Sequence, residues 1–396
     1  MSSLGKKLEI LADSAKYDAS CASTKTDRNA AAPGICHSYT PDGRCVSLLK
    51  ILLTNYCIYD CAYCVNRASN DIPRARFAID EVVRLTLDFY RRNYIDGLFL
   101  SSGVIQSPDY TMEQIVAIAR TLRVDHGFAG YIHLKAMPGV SQELLRTAGL
   151  WADRLSVNIE LPTTDDLQRL APDKSHESIE AVMAGVKAGI DEATDRRSAS
   201  EAPVYAAAGQ TTQMIVGATG TSDAGILHIA GRLYQQHKLR RVYFTAYSPI
   251  PGQETLLTGK PTPLVREHRL YQADQLVRQY GFEVQEIVDD ERPDLDLRID
   301  PKLAWALRHP ERWPVDINAA PREELLRIPG FGRLTVKRIL AARRHTTLGV
   351  QELRRIGARL NVAKLFILTR DSRPGPVAQI PVASLASPPQ QLGLAL

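Results

Sequence analysis

Asn55-Tyr56-Cys57-Ile58-Tyr59-Asp60-Cys61-Ala62-Tyr63-Cys64-Val65-Asn66 is the stretch on which the reading of this chain turns. Its cysteines are spaced C-x3-C-x2-C, with an aromatic residue directly before the last. Iron–sulfur clusters are ligated by cysteine sulfur, and three thiolates on one short loop can hold three irons of a [4Fe–4S] cube. The fourth iron is then open to chelate a small molecule. A structural zinc site and three unrelated buried cysteines are the competing readings. Zinc wants a fourth Cys or His at a short pairwise spacing, and no second C-x2-C or H-x3-H stands nearby.

The loop closely resembles that of the radical S-adenosylmethionine (SAM) enzymes. The resemblance implies that Cys57, Cys61 and Cys64 hold a [4Fe–4S] cluster whose unique iron binds the amino and carboxylate groups of SAM. One electron, from a donor such as flavodoxin or ferredoxin, then cleaves SAM to methionine and a 5′-deoxyadenosyl radical. The cofactor carries the hard chemistry.

Outward from the loop the chain alternates strands and helices. Val46 to Leu53 is a β-rich apolar run leading into the cysteines, and 79–93 is a helix with an apolar face. The expected strands that follow are 97–103, 131–137, 155–161, 211–218, 242–247 and a short one at 282–288. The expected helices are 111–124, with Thr111 as N-cap, then 141–148, 175–190, 222–237 and 263–280. This rhythm demands parallel strands, right-handed crossovers and helices outside. A doubly wound open sheet satisfies it too. The family resemblance, which covers residues 45–290, favours a partial (β/α)6 TIM-type barrel with its active residues at the carboxyl ends of the strands.

The resemblance also suggests the SAM-binding residues. Ser101-Ser102-Gly103 ends a strand where the family has a glycine-rich turn whose backbone receives the methionine amino group; the acidic residue usual there is absent. Asn158 and Glu160 alternate on one strand and so point the same way, towards the SAM ribose or amino group or into an internal hydrogen-bond network. Ile215 and Gly217, in Met214-Ile215-Val216-Gly217, resemble the motif that holds adenine. Tyr247 opens Tyr247-Ser248-Pro249-Ile250-Pro251-Gly252, similar to a strand ending in several subfamilies, methylthiotransferases among them. Lys135 and Lys174 could neutralise the SAM carboxylate or a substrate phosphate, but a lone lysine is more often solvated.

A different composition takes over near the C-terminus. Residues 301–370 hold fifteen Lys and Arg against five Asp and Glu, a balance of +10. The whole chain of 396 residues carries +5, so the remainder is −5. Within this part, Asn318 is expected to cap and Pro321 to open a helix that Pro329-Gly330 ends, and Gly332 lets another begin at once. This resembles the helix-hairpin-helix of DNA repair and replication proteins. Gly330 and Gly332 would present backbone N–H groups to a phosphate, with Arg333, Lys337 and Arg338 adding charge around it. A fainter echo runs from Leu353 to Phe366. A small helical protein-interaction module is the rival reading.

The expected organisation is therefore an N-terminal helix and cysteine-bearing arm (1–44), the barrel (45–290), a connector with an all-α basic module (291–371) and a disordered tail (372–396). At 44% hydrophobic and 23% charged residues a sizeable core is feasible. No apolar run approaches eighteen residues and the first residues lack a signal-peptide core, so a cytoplasmic location without membrane contact is expected. Six cysteines there argue for metal or catalysis over disulfides. Cys21, Cys36 and Cys45 could ligate a second cluster, supply a redox thiol or be structural. The combination resembles radical SAM proteins with a C-terminal helix-hairpin-helix that act on DNA; tRNA modification, and nucleic-acid binding with a structural or redox-sensing cluster, are the alternatives.

Overall fold

The computed structural model describes residues 3–16, 34–39, 45–196, 204–249, 257 and 261–375. Cys21, residues 197–203, residues 250–252 and the tail from 376 lie outside the described residues. Two compact units are present: one holds the residues up to Thr221 together with Ile229–Thr262, the other Ser222–His228 with the described residues from Pro263 onward.

The first unit is built on one sheet: β1 (Ile35–Tyr39), β2 (Cys45–Leu52), β3 (Gly97–Ser101), β4 (Tyr131–Lys135), β5 (Arg154–Ser156), β6 (Gln210–Val216) and β7 (Arg241–Ala246). The strands pair in sequence order, with β1 antiparallel to β2 and every later pair parallel. A doubly wound sheet reverses its strand order at a switch point. Here the order never reverses, so the sheet is a partial (β/α)6 barrel with an extra antiparallel strand at its edge. That strand is unannounced by the sequence, because Ile35–Tyr39 lies in a polar, Gly- and Pro-containing stretch. The parallel strands are buried at most positions, as strands covered on both faces must be; β3 is buried along its whole length, and β6 buries Gln210, Thr211, Thr212 and Gln213 beside its apolar residues.

Helices α1 (Ser3–Ala15), α2 (Ile79–Arg91), α3 (Pro108–Val124), α4 (Gln142–Trp151), α5 (Thr164–Leu170) and α6 (His176–Arg196) belong to this unit. α3 begins earlier than expected, capped by the Ser107 hydroxyl, which accepts the Tyr110 N–H at 3.1 Å. Thr111, expected as the cap, is buried and donates to the Ser107 carbonyl at 2.8 Å. The fourth barrel strand stops at Ser156 rather than running to Leu161: beyond it the Thr212 hydroxyl stands in for the ladder, donating to the Val157 carbonyl at 2.7 Å and accepting the Ile159 N–H at 2.8 Å, and Glu160 takes φ +69°, outside the β region.

α7 (Asp223–His237) is divided between the units, and α8 (Leu264–Tyr280) falls in the second. The short strand expected at 282–288 is instead α9 (Val284–Ile287); the Glu286 carboxylate accepts the Glu283 N–H at 2.9 Å and starts a helical turn. α10 (Pro301–Arg308), α11 (Arg322–Arg327), α12 (Arg333–Ala342), α13 (Val350–Arg355) and α14 (Leu360–Ala363) complete the helices of this unit. It is not all-α: β8 (Val315–Asp316) pairs in parallel with β9 (Ile367–Leu368). Its core centres on Trp305, packed edge-on against Phe282 at 5.1 Å and Trp313 at 6.1 Å. The Arg327 guanidinium covers Phe282 at 4.4 Å and Trp305 at 4.9 Å while forming an ion pair with Glu286 at 2.6 Å.

Candidate active site

The cysteine loop leaves the carboxyl end of β2, and backbone and side-chain hydrogen bonds fix it there. Gly103 N–H donates to the Thr54 carbonyl at 2.8 Å, Ile58 N–H to Val104 at 2.8 Å, and Ala62 N–H to Leu170 at 2.8 Å. The Arg74 guanidinium gathers four loop carbonyls: Asn55, Asn66 at 2.8 Å, Arg67 at 2.6 Å and Asn70 at 2.9 Å. Asn55 itself is buried, accepting the Ala75 N–H and donating to the Pro73 carbonyl. At Gly103 an added Cβ would come within 2.2 Å of the Tyr56 carbonyl, so only glycine lets the β3 turn pass under the loop.

The loop closes over a cavity of about 200 Å³ at the carboxyl ends of the strands. Cys57, Cys61 and Cys64 all line it. Burial raises the Cys61 thiol and pushes Cys64 up to about 12, so any metal bound by these two sulfurs would have to displace their protons. Among the described residues no three His, Cys, Asp or Glu side chains stand close enough to share one metal ion.

Of the residues expected around SAM, Ser102, Gly103, Asn158, Glu160, Ile215 and Tyr247 line this cavity. Ser101 and Gly217 do not. Ser101 ends β3 and its carbonyl accepts the Leu53 N–H at 2.8 Å. Gly217 has φ +78°, and a Cβ there would meet the Thr262 hydroxyl at 2.0 Å, which gives this glycine a packing reason of its own.

Glu160 is clamped in its left-handed conformation: its N–H donates to Gln213 at 3.2 Å and its carbonyl accepts from Ile215 at 2.7 Å. Its carboxylate meets Lys174 at 2.7 Å. Lys174 is not the solvated lysine the sequence suggested. Burial alone would lower it, but the Glu160 carboxylate, with Tyr63 and Cys61 nearby, holds it well above the usual lysine range. Nothing local in the sequence ties these residues, fourteen positions apart. Gln213 and Thr245 also line the cavity and were missed. Period-two alternation with Ile215 on β6 and with Tyr247 after β7 was the available signal.

Three of the side chains that line the cavity carry an atom buried without a hydrogen-bond partner among the described residues: Tyr63 Oη, Asn66 Oδ1 and Thr245 Oγ1. Buried polar atoms in folded proteins are paired as a rule, so a polar ligand fits here.

No protein-family model matches the sequence, and no curated protein matches it. Among solved structures the chain is similar to the FeFe-hydrogenase maturase HydG from Carboxydothermus hydrogenoformans, at 14% identity and TM-score 0.44, covering 57% of this chain and 50% of that one. It is similar to a radical SAM methyltransferase from Sphaerobacter thermophilus at 14% identity and TM-score 0.40, covering 60% and 69%. It is also similar to coproporphyrinogen III oxidase (HemN) from Escherichia coli, a radical SAM enzyme, at 15% identity and TM-score 0.35, covering 64% and 56%. The chain spans about half the length of the HydG structure it matches. Identities this low say nothing of individual residues. What the chain itself shows is a sequentially ordered partial barrel, three cysteines on the loop after its first parallel strand, and a cavity that all three line.

In the second unit, Gly330 (φ +85°) turns the chain between α11 and α12, and Gly332 caps α12. Arg333, Lys337 and Arg338 are exposed. Arg333 donates to Gln279 at 3.1 Å, and Arg338 to the Ile356 carbonyl at 2.9 Å. Asn318 does not cap α11; its side chain exchanges two hydrogen bonds with the Leu348 backbone, at 2.8 and 3.1 Å. Gly357 (φ +81°) makes a second turn, between α13 and α14.

Proposed function

We propose that this chain is a radical SAM enzyme acting on nucleic acid, DNA before RNA, in repair or modification. The observation that carries the first half is the cavity that brings Cys57, Cys61 and Cys64 together with Asn66, Asn158, Glu160 and Thr245. Bound there, the cluster and SAM supply reductive cleavage of SAM to a 5′-deoxyadenosyl radical, given one electron from a donor such as flavodoxin or ferredoxin. The chain's own part is to hold and orient. Three thiolates would hold three irons, and the Gly103 turn would offer its backbone to the SAM amino group. Lys174 and Glu160 put a paired ammonium and carboxylate on the cavity wall, a match for a ligand that carries both an amino and a carboxylate group. The buried amide oxygen of Asn66 and hydroxyl of Thr245 give that ligand hydrogen-bond partners.

The nucleic-acid half rests on the second unit's charge, +10 over residues 301–370, and on the glycine turn from α11 into α12. Anionic backbones favour such a helix start and such a charge. The test incubates reduced, iron-loaded protein with SAM and a panel of DNA and RNA substrates, and follows 5′-deoxyadenosine and altered nucleosides by mass spectrometry. Deoxyadenosine together with a changed deoxynucleoside is the expected result. No deoxyadenosine would reduce the chain to a binding protein with a structural or redox-sensing cluster. Changed ribonucleosides alone, with about eight irons per chain rather than about four, would make it a tRNA-modifying enzyme carrying a second cluster.

A further inference from the structure

The second unit contains a lysine for which the nucleic-acid reading has so far no use. Lys302, the second residue of α10, is buried. Its Nζ donates to the Phe331 carbonyl at 2.7 Å and lies 4.9 Å from the centre of the Tyr280 ring. It makes no ion pair among the described residues. The charged group that faces it is Asp300, at the start of its own helix, and that carboxylate already caps the helix by accepting the Lys302 and Leu303 N–H groups at 3.1 and 3.0 Å. From α8 the facing group is the Tyr280 ring. An ammonium buried with so little compensation is costly.

The carbonyl it grips is in the hairpin turn. Phe331 C=O and Gly332 N–H belong to one peptide, and in a trans peptide they point in opposite directions. A carbonyl held inward by Lys302 therefore aims the Gly332 N–H the other way, at the start of α12, where the helix dipole reinforces it. Phe331 is itself buried and Gly332 is only half-buried, so the turn has its carbonyl on the protein side and its amide on the open side.

We propose that Lys302 is a positioning residue for phosphate: by gripping the Phe331 carbonyl it directs the hairpin N–H that meets a nucleic-acid backbone, and it does so more firmly when protonated. The proposal rests on the hairpin reading above. Burial, only partly offset by Asp300, lowers Lys302 to about 7. The protonated form makes a charge-assisted bond and places positive charge behind the amide; the neutral amine donates more weakly. Affinity for phosphate backbone is thus highest below that pH and falls as pH rises through it.

The experiment uses the full chain and a short labelled duplex of arbitrary sequence, at constant ionic strength, from about pH 6 to about pH 8.5. Wild-type affinity should fall roughly fivefold across the range, the gap between a charged and a neutral hydrogen bond. Lys302→Met should bind weakly with no such pH dependence. Lys302→Arg, which keeps its charge throughout, should hold the tight level at every pH. Thermal unfolding of each variant checks that the unit is intact, and Lys302→Arg decides the matter if Lys302→Met does not fold. A wild-type pH slope retained in either variant overturns the proposal. A wild type that binds no duplex at any pH overturns the hairpin reading, and this proposal with it, and is told apart by the missing binding itself.

Discussion

At the scale of single residues, the first unit stakes its interior on charges and polar groups that packing alone would not favour. Lys174 and Glu160 face each other at 2.7 Å with about a tenth of each side chain exposed. A buried pair of this kind adds little net stability, yet removing one partner strands the other. Lys174→Met is therefore expected to cost about 3–5 kcal/mol by denaturant unfolding, and Glu160→Gln added to it should recover most of that loss. Additive losses in the double variant would show that the two side chains act separately. His133 on β4 is a second case. Its Nε2 meets Ser156 Oγ at 2.9 Å, and burial, with Arg154, Lys135 and Lys50 nearby, holds it well below the usual histidine range. The folded form thus keeps it neutral while the unfolded chain protonates it near pH 6.5. Below that pH the unfolded state binds more protons, so stability is lost as pH falls, by about 1.4 kcal/mol per pH unit from this group. Unfolding free energies at pH 7 and pH 5 should differ accordingly, and His133→Gln should shrink the difference.

Elements formed where the sequence carried their signal locally, and departed where a distant partner decided. The apolar runs of β2 and β3 and the helix faces of α2 and α6 are legible because burial imposes their periods. The cysteines are legible because spacing on one loop is enough. Arg74 is not: the four carbonyls it collects become neighbours only after the loop has turned back on itself. The alternating apolar residues of 282–288 read as a strand but form α9, since the Glu286 cap acts at once. The two hairpin glycines differ in what the backbone asks of them. Gly330 has φ +85°, where a side chain costs about 1–2 kcal/mol. Gly332 has φ −92° and ψ 168°, open to any residue, and a Cβ there would find only the Tyr280 hydroxyl at 3.7 Å. Gly330→Ala should therefore lower the unfolding midpoint of the second unit, whereas Gly332→Ala should leave it unchanged. If Gly332→Ala weakens duplex binding at unchanged stability, its glycine serves the close approach of a phosphate rather than the turn.

Across the whole molecule, charge is divided unevenly, with +10 in residues 301–370 against −5 elsewhere, and the sign of the basic part predicts how a polyanion would bind. Backbone amides and exposed Arg and Lys meet phosphates that are the same at every step of a duplex, so such binding positions without reading bases. Three to five neutralised phosphates would give a log–log salt slope of roughly −3 to −4. The residues should not contribute equally. Lys337 is exposed, and among the described residues Arg333 is tied only to Gln279, an exposed pairing that a phosphate can displace. Arg338 instead donates to the Ile356 carbonyl at 2.9 Å, bracing α12 against the turn that holds Gly357. Arg333→Ala and Lys337→Ala are therefore each expected to reduce the slope by about one unit. Arg338→Ala should change it less while lowering the stability of the second unit. Titrations of several unrelated duplexes over a salt series measure all three. A flat salt response, or a preference for one sequence that disappears with Arg333, would mean that this unit recognises something other than the phosphate backbone.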